Sequence, residues 1–310
     1  MTAGEKRNMA ASVRARLTNL ARTTGQDFQR LLLRFVVERF LYRLDRSGHS
    51  NDFLLKGAML FAARGDWPYR STRDLDLLGV GESTAEELAN TIRNLCTVKV
   101  EDDGVQYDPD SVTVEAIREA RIEGGLRVVL FAALEQARIR MRIDVGFGDT
   151  VLAPEWIEVP SLLGFSSSRI QAYPKESVVA EKTQALLTLG EINSRVKDYY
   201  DIWALSRNLS FDGTTLVSTV AAVLVSHDTR VPSGNPDGLT DSFAEARKTM
   251  WQGFLRRVQL SGSVPDLHDV LVQLRDFLLP PLEAVRDARP FVMNWPPGGP
   301  WQPNARHPNA

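Results

Sequence analysis

Apolar residues recur along this chain with two different periods, and the change from one to the other divides it. Residues 10–45 place Phe28, Leu31, Leu32, Phe35 and Val36 at helical spacing, which predicts two helices broken near Thr23 to Gly25. Their Arg-rich polar faces read most simply as solvated surface, with nucleic-acid contact the lesser alternative. "DFLLKGAMLFAARG" predicts a short element feeding a helix through a glycine turn at Lys56, Gly57 and Ala58. Alternation then takes over: Leu75 and Leu77 in "TRDLDLLGVG" predict a strand ending at Gly79. Residues 111–119, 125–132 and 138–145 read as three more strands, the last setting Arg138, Arg140 and Arg142 against Ile139, Met141, Ile143 and Val145. Between them "GESTAEELANTIRNLC" offers a cap-like Ser83 or Thr84 with Glu86 or Glu87 at the matching offset, and predicts a helix.

After a Gly/Pro-punctuated connector over 146–165, the helical period returns at Lys175. "KESVVAEKTQALLTLG" and "RVKDYYDIWALSRN" predict two helices, followed by others over 212–226, 239–259 and 265–285. The tail "NWPPGGPWQPNARHPNA" reads as irregular or disordered. The pattern therefore implies an α/β (α+β) domain over 1–165 that includes the N-terminal helices, a mostly helical domain over 166–292, and a Pro/Gly-rich tail over 293–310. A length of 310 residues allows that division, and 43% hydrophobic residues supply an ordinary globular core.

Charge changes the picture little: 37 Lys and Arg against 39 Asp and Glu neither support nor exclude a nucleic-acid partner. Cysteine changes it more. A single cysteine, Cys96, excludes an internal disulfide and a cysteine-cluster zinc site, and the four histidines show no metal-ligand spacing. No stretch approaches the roughly 18 apolar residues of a membrane span, and the first residues lack an apolar signal core. The expectation is a cytoplasmic protein with no membrane partner.

The candidate chemistry is acidic. On a strand, Asp74 and Asp76 share one face while Leu75 and Leu77 pack on the other. Two readings stand open: a solvated acidic face, or a site in which a divalent cation relieves the repulsion. Hard oxygen donors favour magnesium or manganese. Asp144, closing the strand in "RIDVGFGD", would add a third carboxylate, with Asp149 further into the loop. Carboxylates converging from neighbouring strands suit two-metal phosphoryl or nucleotidyl transfer. Upstream, the turn at Lys56, Gly57 and Ala58 could present backbone N–H groups to phosphate, or simply be a tight turn. Arg70, Ser71 and Thr72 could bind phosphate or only cap the strand. Lys182, inside the apolar run "VVAEKTQALL", is either a snorkelling surface residue or a cation for a nucleoside triphosphate. On the helix of "KDYYD", Asp198 and Asp201 are expected on the exposed side with Arg195 and Lys197; Asp198 could alternatively orient Lys182 or the acceptor hydroxyl.

Taken in order, Gly57-Ala58, "RSTRDLD", "RIDVGFGD", "YPKESVVAEKTQAL" and "NSRVKDYYDIW" resemble the AbiEii/AbiGii/MenT family of nucleotidyltransferase-like toxins, over roughly residues 50–210. The resemblance implies a minimal nucleotidyltransferase-like mixed sheet with a helical C-terminal half. It implies a metal-dependent enzyme and a toxin of a type IV toxin–antitoxin or phage-defence system. Such an enzyme transfers nucleotides from a nucleoside triphosphate to RNA, above all the transfer RNA 3′ end, and so blocks translation. It also implies a cognate antitoxin encoded nearby. Carried over by position, Asp74 and Asp76 become the metal-binding aspartates, Lys182 the essential lysine and Asp198 the late essential aspartate. Thr72 takes a Ser/Thr position that some family members have phosphorylated. The family's glycine pair is Gly57-Ala58 here. Transfer to a protein acceptor, and a nucleotide-binding regulator without turnover, are the alternatives.

Overall fold

The computed structural model describes residues 8–64, 74–117, 125–147 and 154–304. The chain divides into two compact units, Met1–Tyr173 and Pro174–Ala310.

In the first unit, α1 (Met9–Thr24) ends where Gly25 takes a left-handed φ of 69°. Asp27 then caps α2 (Phe28–Asp45) by accepting from the Arg30 backbone N–H. The break falls where the periodicity put it. The polar side of α2 departs from the solvated reading, because Arg39 and Arg43 are buried. Arg39 Nε donates to Asp103 Oδ2 at 2.7 Å, Arg43 Nη1 to the same oxygen at 2.8 Å, and Arg39 Nη1 to the Ser166 carbonyl at 2.9 Å. Buried charge is tolerated only when paired and hydrogen-bonded in this way. Burial alone would raise the Asp103 carboxyl, but the hydrogen bond and charge of Arg43, with hydrogen bonds from Arg39 and the Val105 N–H, outweigh it and hold the group below its ordinary value.

The chain continues through β1 (Phe53–Lys56), α3 (Gly57–Arg64), β2 (Asp74–Gly79) and α4 (Ala85–Thr97) to β3 (Val105–Ala116), β4 (Leu126–Leu134) and β5 (Ala137–Gly146). Thr84 and Glu87 close a full capping box at the start of α4. β6 (Glu155–Val159) and β7 (Ser168–Ala172) complete a seven-stranded mixed sheet, in the order β3-β4-β5-β2-β1-β7-β6. β2 runs parallel to β5 and β1 parallel to β7; the other neighbours are antiparallel.

Two expectations are corrected here. β3 begins at Val105, before residue 111, because a register shift between Asp108 and Thr113 interrupts its alternation. The connector over 146–165 holds a strand: β6, with β7 just beyond it, is five residues long, too short to declare a period. Both exist by pairing, β7 on β1 and β6 on β7.

One face of the sheet is apolar. Leu75, Leu77, Val128, Leu130, Met141, Ile143 and Val145 are all buried there, with α2 packed on β5 and β7 and α4 on β3. Alternation sends Asp74, Asp76, Arg142 and Asp144 to the opposite face.

The second unit runs through α5 (Lys175–Leu189), a 3-10 turn over 190–192, α6 (Val196–Asn208), β8 (Phe211–Asp212), α7 (Gly213–Ser226), α8 (Asp241–Arg257) and α9 (Leu267–Arg286). The described part of the tail is ordered, against expectation. β9 (Met293–Trp295) and β10 (Gln302–Pro303) form a small sheet with β8. Trp295 is buried with its Nε1 donating to the Ser206 carbonyl at 2.7 Å. Trp301 stacks on Phe277, and its Nε1 donates to the Phe277 carbonyl at 3.0 Å. Two tryptophans with satisfied N–H groups anchor what Pro and Gly composition alone marks as irregular. Among the described residues, no helix is long and apolar enough to cross a membrane.

Candidate active site

In the first unit, strand register aligns the polar residues in rows. Lys56 pairs with Asp76, Asp76 with Asp144, and Asp144 with Arg127, so one row crosses β1, β2, β5 and β4. In the next row Asp74 pairs with Arg142. Residues opposite one another project from the same face. The three carboxylates expected from the sequence are therefore brought onto one face, and Asp76 and Asp144 are direct neighbours.

Two arginines hold this acidic group. Arg127 grips Asp144 with a two-pronged fork, Nε to Oδ1 at 2.8 Å and Nη2 to Oδ2 at 2.8 Å. Arg142 Nε lies 2.9 Å from Asp74 Oδ1. Arg142 was visible in the sequence as part of a basic strand face. Nothing in "GLRVVLFA" singles out Arg127, whose role depends on a register set between β4 and β5.

Gly57 opens α3 directly after β1 with φ of 68°, a conformation L side chains rarely adopt. A Cβ at this position would overlap the Asp76 carboxylate. The glycine thus serves both the turn and the carboxylate, which fills the place of a side chain. Ala58 is already inside α3, buried and without positive φ, so alanine meets no backbone demand there. Gly57→Ala is expected to cost about 1–2 kcal/mol from the left-handed backbone alone, before any displacement of Asp76. Chemical denaturation measures it, and a loss below about 0.5 kcal/mol would contradict this account of the turn. Lys56 sits with its Nζ 4.2 Å from the centre of the Tyr173 ring. Arg70, Ser71 and Thr72, and Asp149 with them, lie outside the described residues.

The donor chemistry of Asp74 and Asp76 is all oxygen, half-buried and backed by a glycine, which fits magnesium or manganese. Asp144 shares their face with both oxygens on Arg127. Among the described residues, the acid and histidine group whose ligand atoms lie mutually within 4.8 Å is elsewhere: Asp266, His268 and Asp269, all exposed. There Asp266 caps α9 by accepting from the Asp269 N–H at 3.0 Å, which accounts for the clustering.

In the second unit, Lys182 on α5 meets α6. Its Nζ lies 2.7 Å from Asp198 Oδ1 and 2.9 Å from Asp201 Oδ2, while Arg195 Nε lies 2.7 Å from Asp198 Oδ2. The side chains of Asp198 and Asp201 are only 4% and 1% exposed. The exposed placement expected for both is corrected: two cations and two carboxylates balance, and burial becomes affordable. Sequence reasoning matched Asp198 to Lys182 but missed Asp201, whose signal was the i, i+3 spacing from Asp198 opposite a lysine in an apolar run. Tyr199 and Tyr200 are both core. Arg247 donates to the carbonyls of Glu191 and Asn193 and ties α8 to the turn before α6.

A family model described as the nucleotidyl transferase AbiEii toxin of type IV toxin–antitoxin systems matches residues 39–273. No curated protein matches the chain. Among solved structures, JHP933 from Helicobacter pylori is similar at 12% identity and a TM-score of 0.48, over 84% of this chain and 95% of that one. A second H. pylori structure, provisionally assigned as a nucleotidyltransferase, is similar at 12% identity and a TM-score of 0.49, over 86% of this chain and 100% of that one.

Proposed function

We propose, because this chain belongs to the AbiEii family of nucleotidyl transferase toxins, that it moves a nucleotide from a nucleoside triphosphate onto RNA, at the transfer RNA 3′ end. The observation that carries the reading is the β2–β5 register, which lines up Asp74, Asp76 and Asp144 on one sheet face beside the Gly57 turn. In the reaction the acceptor hydroxyl oxygen bonds to the α-phosphorus and its proton passes to water. The bond to the bridging β-phosphate oxygen breaks, and pyrophosphate leaves.

Asp74 and Asp76 would hold the divalent cation, magnesium or manganese, with Asp144 beside them on the same face. Such a cation would supply Lewis-acid neutralisation of phosphate charge. Arg142 and Arg127 fix the Asp74 and Asp144 carboxylates, so these groups need not reorganise during transfer. Backbone N–H groups at Gly57 and Ala58, with Lys56, receive phosphate; Arg70, Ser71 and Thr72 complete that set. In the second unit Lys182 takes the place of the family's essential lysine, a cation for phosphate, and Asp198 keeps its ammonium in place. A toxin acting on transfer RNA works in the cytoplasm, and the type IV assignment implies a cognate antitoxin.

The test is incubation of the purified chain with each α-labelled triphosphate, magnesium, total RNA and total protein together. Label is expected in the transfer RNA fraction. Label in protein alone would move the acceptor to a protein hydroxyl, and triphosphate binding with no label anywhere would leave a regulator without turnover.

A further inference from the structure

β5 carries charge beyond the aspartates. Arg138 and Arg140 project from the same sheet face as Arg142 and Asp144, and both are exposed. Their partners across on β4 are Ala133 and Phe131, not acids. No carboxylate lies within ion-pair distance of either guanidinium among the described residues. The acid in the Arg140 row, Asp108, stands on β3, beyond β4, and β3 carries Gln106 in the Arg138 row. An ordinary solvated sheet face sets opposite charges across from one another, because like charges in a row repel. This one leaves two adjacent cations uncompensated in a chain of net charge −2.

Alternate strand residues stand about 6.8 Å apart, and Arg138 lies about 20 Å along β5 from the Asp144 row. Phe131 is half-buried in the Arg140 row, with the Arg138 guanidinium 3.8 Å from its ring centre. Spaced cations beside an aromatic ring match a single-stranded polynucleotide, and Gln106 stands exposed in the Arg138 row. The arginines take backbone phosphates and the ring takes a base.

We propose that the exposed face of β4 and β5 holds the unpaired end of the RNA acceptor through Arg138, Arg140 and Phe131, and leads it to the row of aspartates. This rests on the reading that the acceptor is RNA, and it adds the surface that recognises it. Recognition is by backbone and stacking, so it tolerates different sequences and depends strongly on salt.

The test is anisotropy of a fluorescein-labelled transfer RNA mixture titrated with the full chain across a potassium chloride series. The variants are Arg138→Ala/Arg140→Ala and Arg138→Lys/Arg140→Lys. The alanine pair is expected to bind at least tenfold more weakly, with the slope of log K against log salt smaller by about 1.4, or about 0.7 for each lost single-strand phosphate contact. The lysine pair keeps most of the slope, because the charges remain. Affinity within twofold of the parent with an unchanged slope overturns the proposal, as does a parent chain that does not bind transfer RNA. An alanine pair that keeps transfer RNA affinity but loses an acidic protein antitoxin also overturns it, and assigns the face to a protein. Nucleotide incorporation measured in parallel separates the two readings: a parent that labels RNA beside an alanine pair with unchanged KM for RNA leaves transfer standing and removes the track alone.

Discussion

Asp76→Asn is expected to remove nucleotide transfer by about a thousandfold or more while leaving the fold intact. The substitution keeps side-chain volume and takes away one negative charge. Under the proposed roles that charge holds the cation on which phosphate neutralisation depends, an effect worth several kcal/mol in the transition state. The structure argues that stability will not follow activity down. Asp76 lies directly opposite Asp144 in the parallel β2–β5 register, and like charges at paired positions destabilise a sheet. Lys56, opposite Asp76 on β1, gives some of that back, since an opposite charge at a paired position contributes about 0.2–1 kcal/mol. The melting temperature should stay within a few degrees of the parent while incorporation of label disappears. Retention of a tenth of the parental rate would exclude Asp76 as a ligand. A large fall in melting temperature would instead mark it as structural.

Much of this was legible in the sequence because local rules coincide with the fold there. Leu75 and Leu77 alternate cleanly with Asp74 and Asp76, so β2 and its acidic face could be read without a partner strand. Thr84 and Glu87 announced α4 by a reciprocal hydrogen bond that needs nothing beyond three residues of chain. The failures share a cause: each feature is created by a distant partner. β6 and β7 pair with one another and with β1, and five residues leave no period to see. Arg127 owes its role to β4–β5 register, which no local pattern encodes. Arg39 and Arg43 looked solvated because arginines usually are; Asp103, some sixty residues on, buries them. The tail was misjudged on Pro and Gly, although Trp295 and Trp301 argued the other way, since disordered segments are poor in aromatics. One distant pairing was offered as an alternative, Asp198 orienting Lys182, and the structure sets those groups 2.7 Å apart.

Lys182→Met should both unfold and inactivate the enzyme, and a second substitution can separate the two effects. Removing the ammonium leaves the Asp198 and Asp201 carboxylates, 4% and 1% exposed, with Arg195 on Asp198. Breaking a buried pair from one side costs about 3–5 kcal/mol, because a charge is left in low dielectric without its counter-ion. Four of the six tryptophans, Trp203, Trp251, Trp295 and Trp301, lie in the second unit, so guanidinium unfolding followed by their fluorescence reports the loss where it occurs. Adding Asp201→Asn restores the balance, one cation to one carboxylate, and most of the lost stability should return. Activity should not return with it if Lys182 contacts the nucleotide phosphates, because asparagine rebuilds the packing without supplying a cation. A double variant that regains both stability and transfer would show that the lysine only neutralises buried acids, and its place in the proposed site would be lost. Asp201→Asn alone keeps Lys182 on Asp198, and so should retain transfer within about tenfold of the parent, or about 1.4 kcal/mol of barrier.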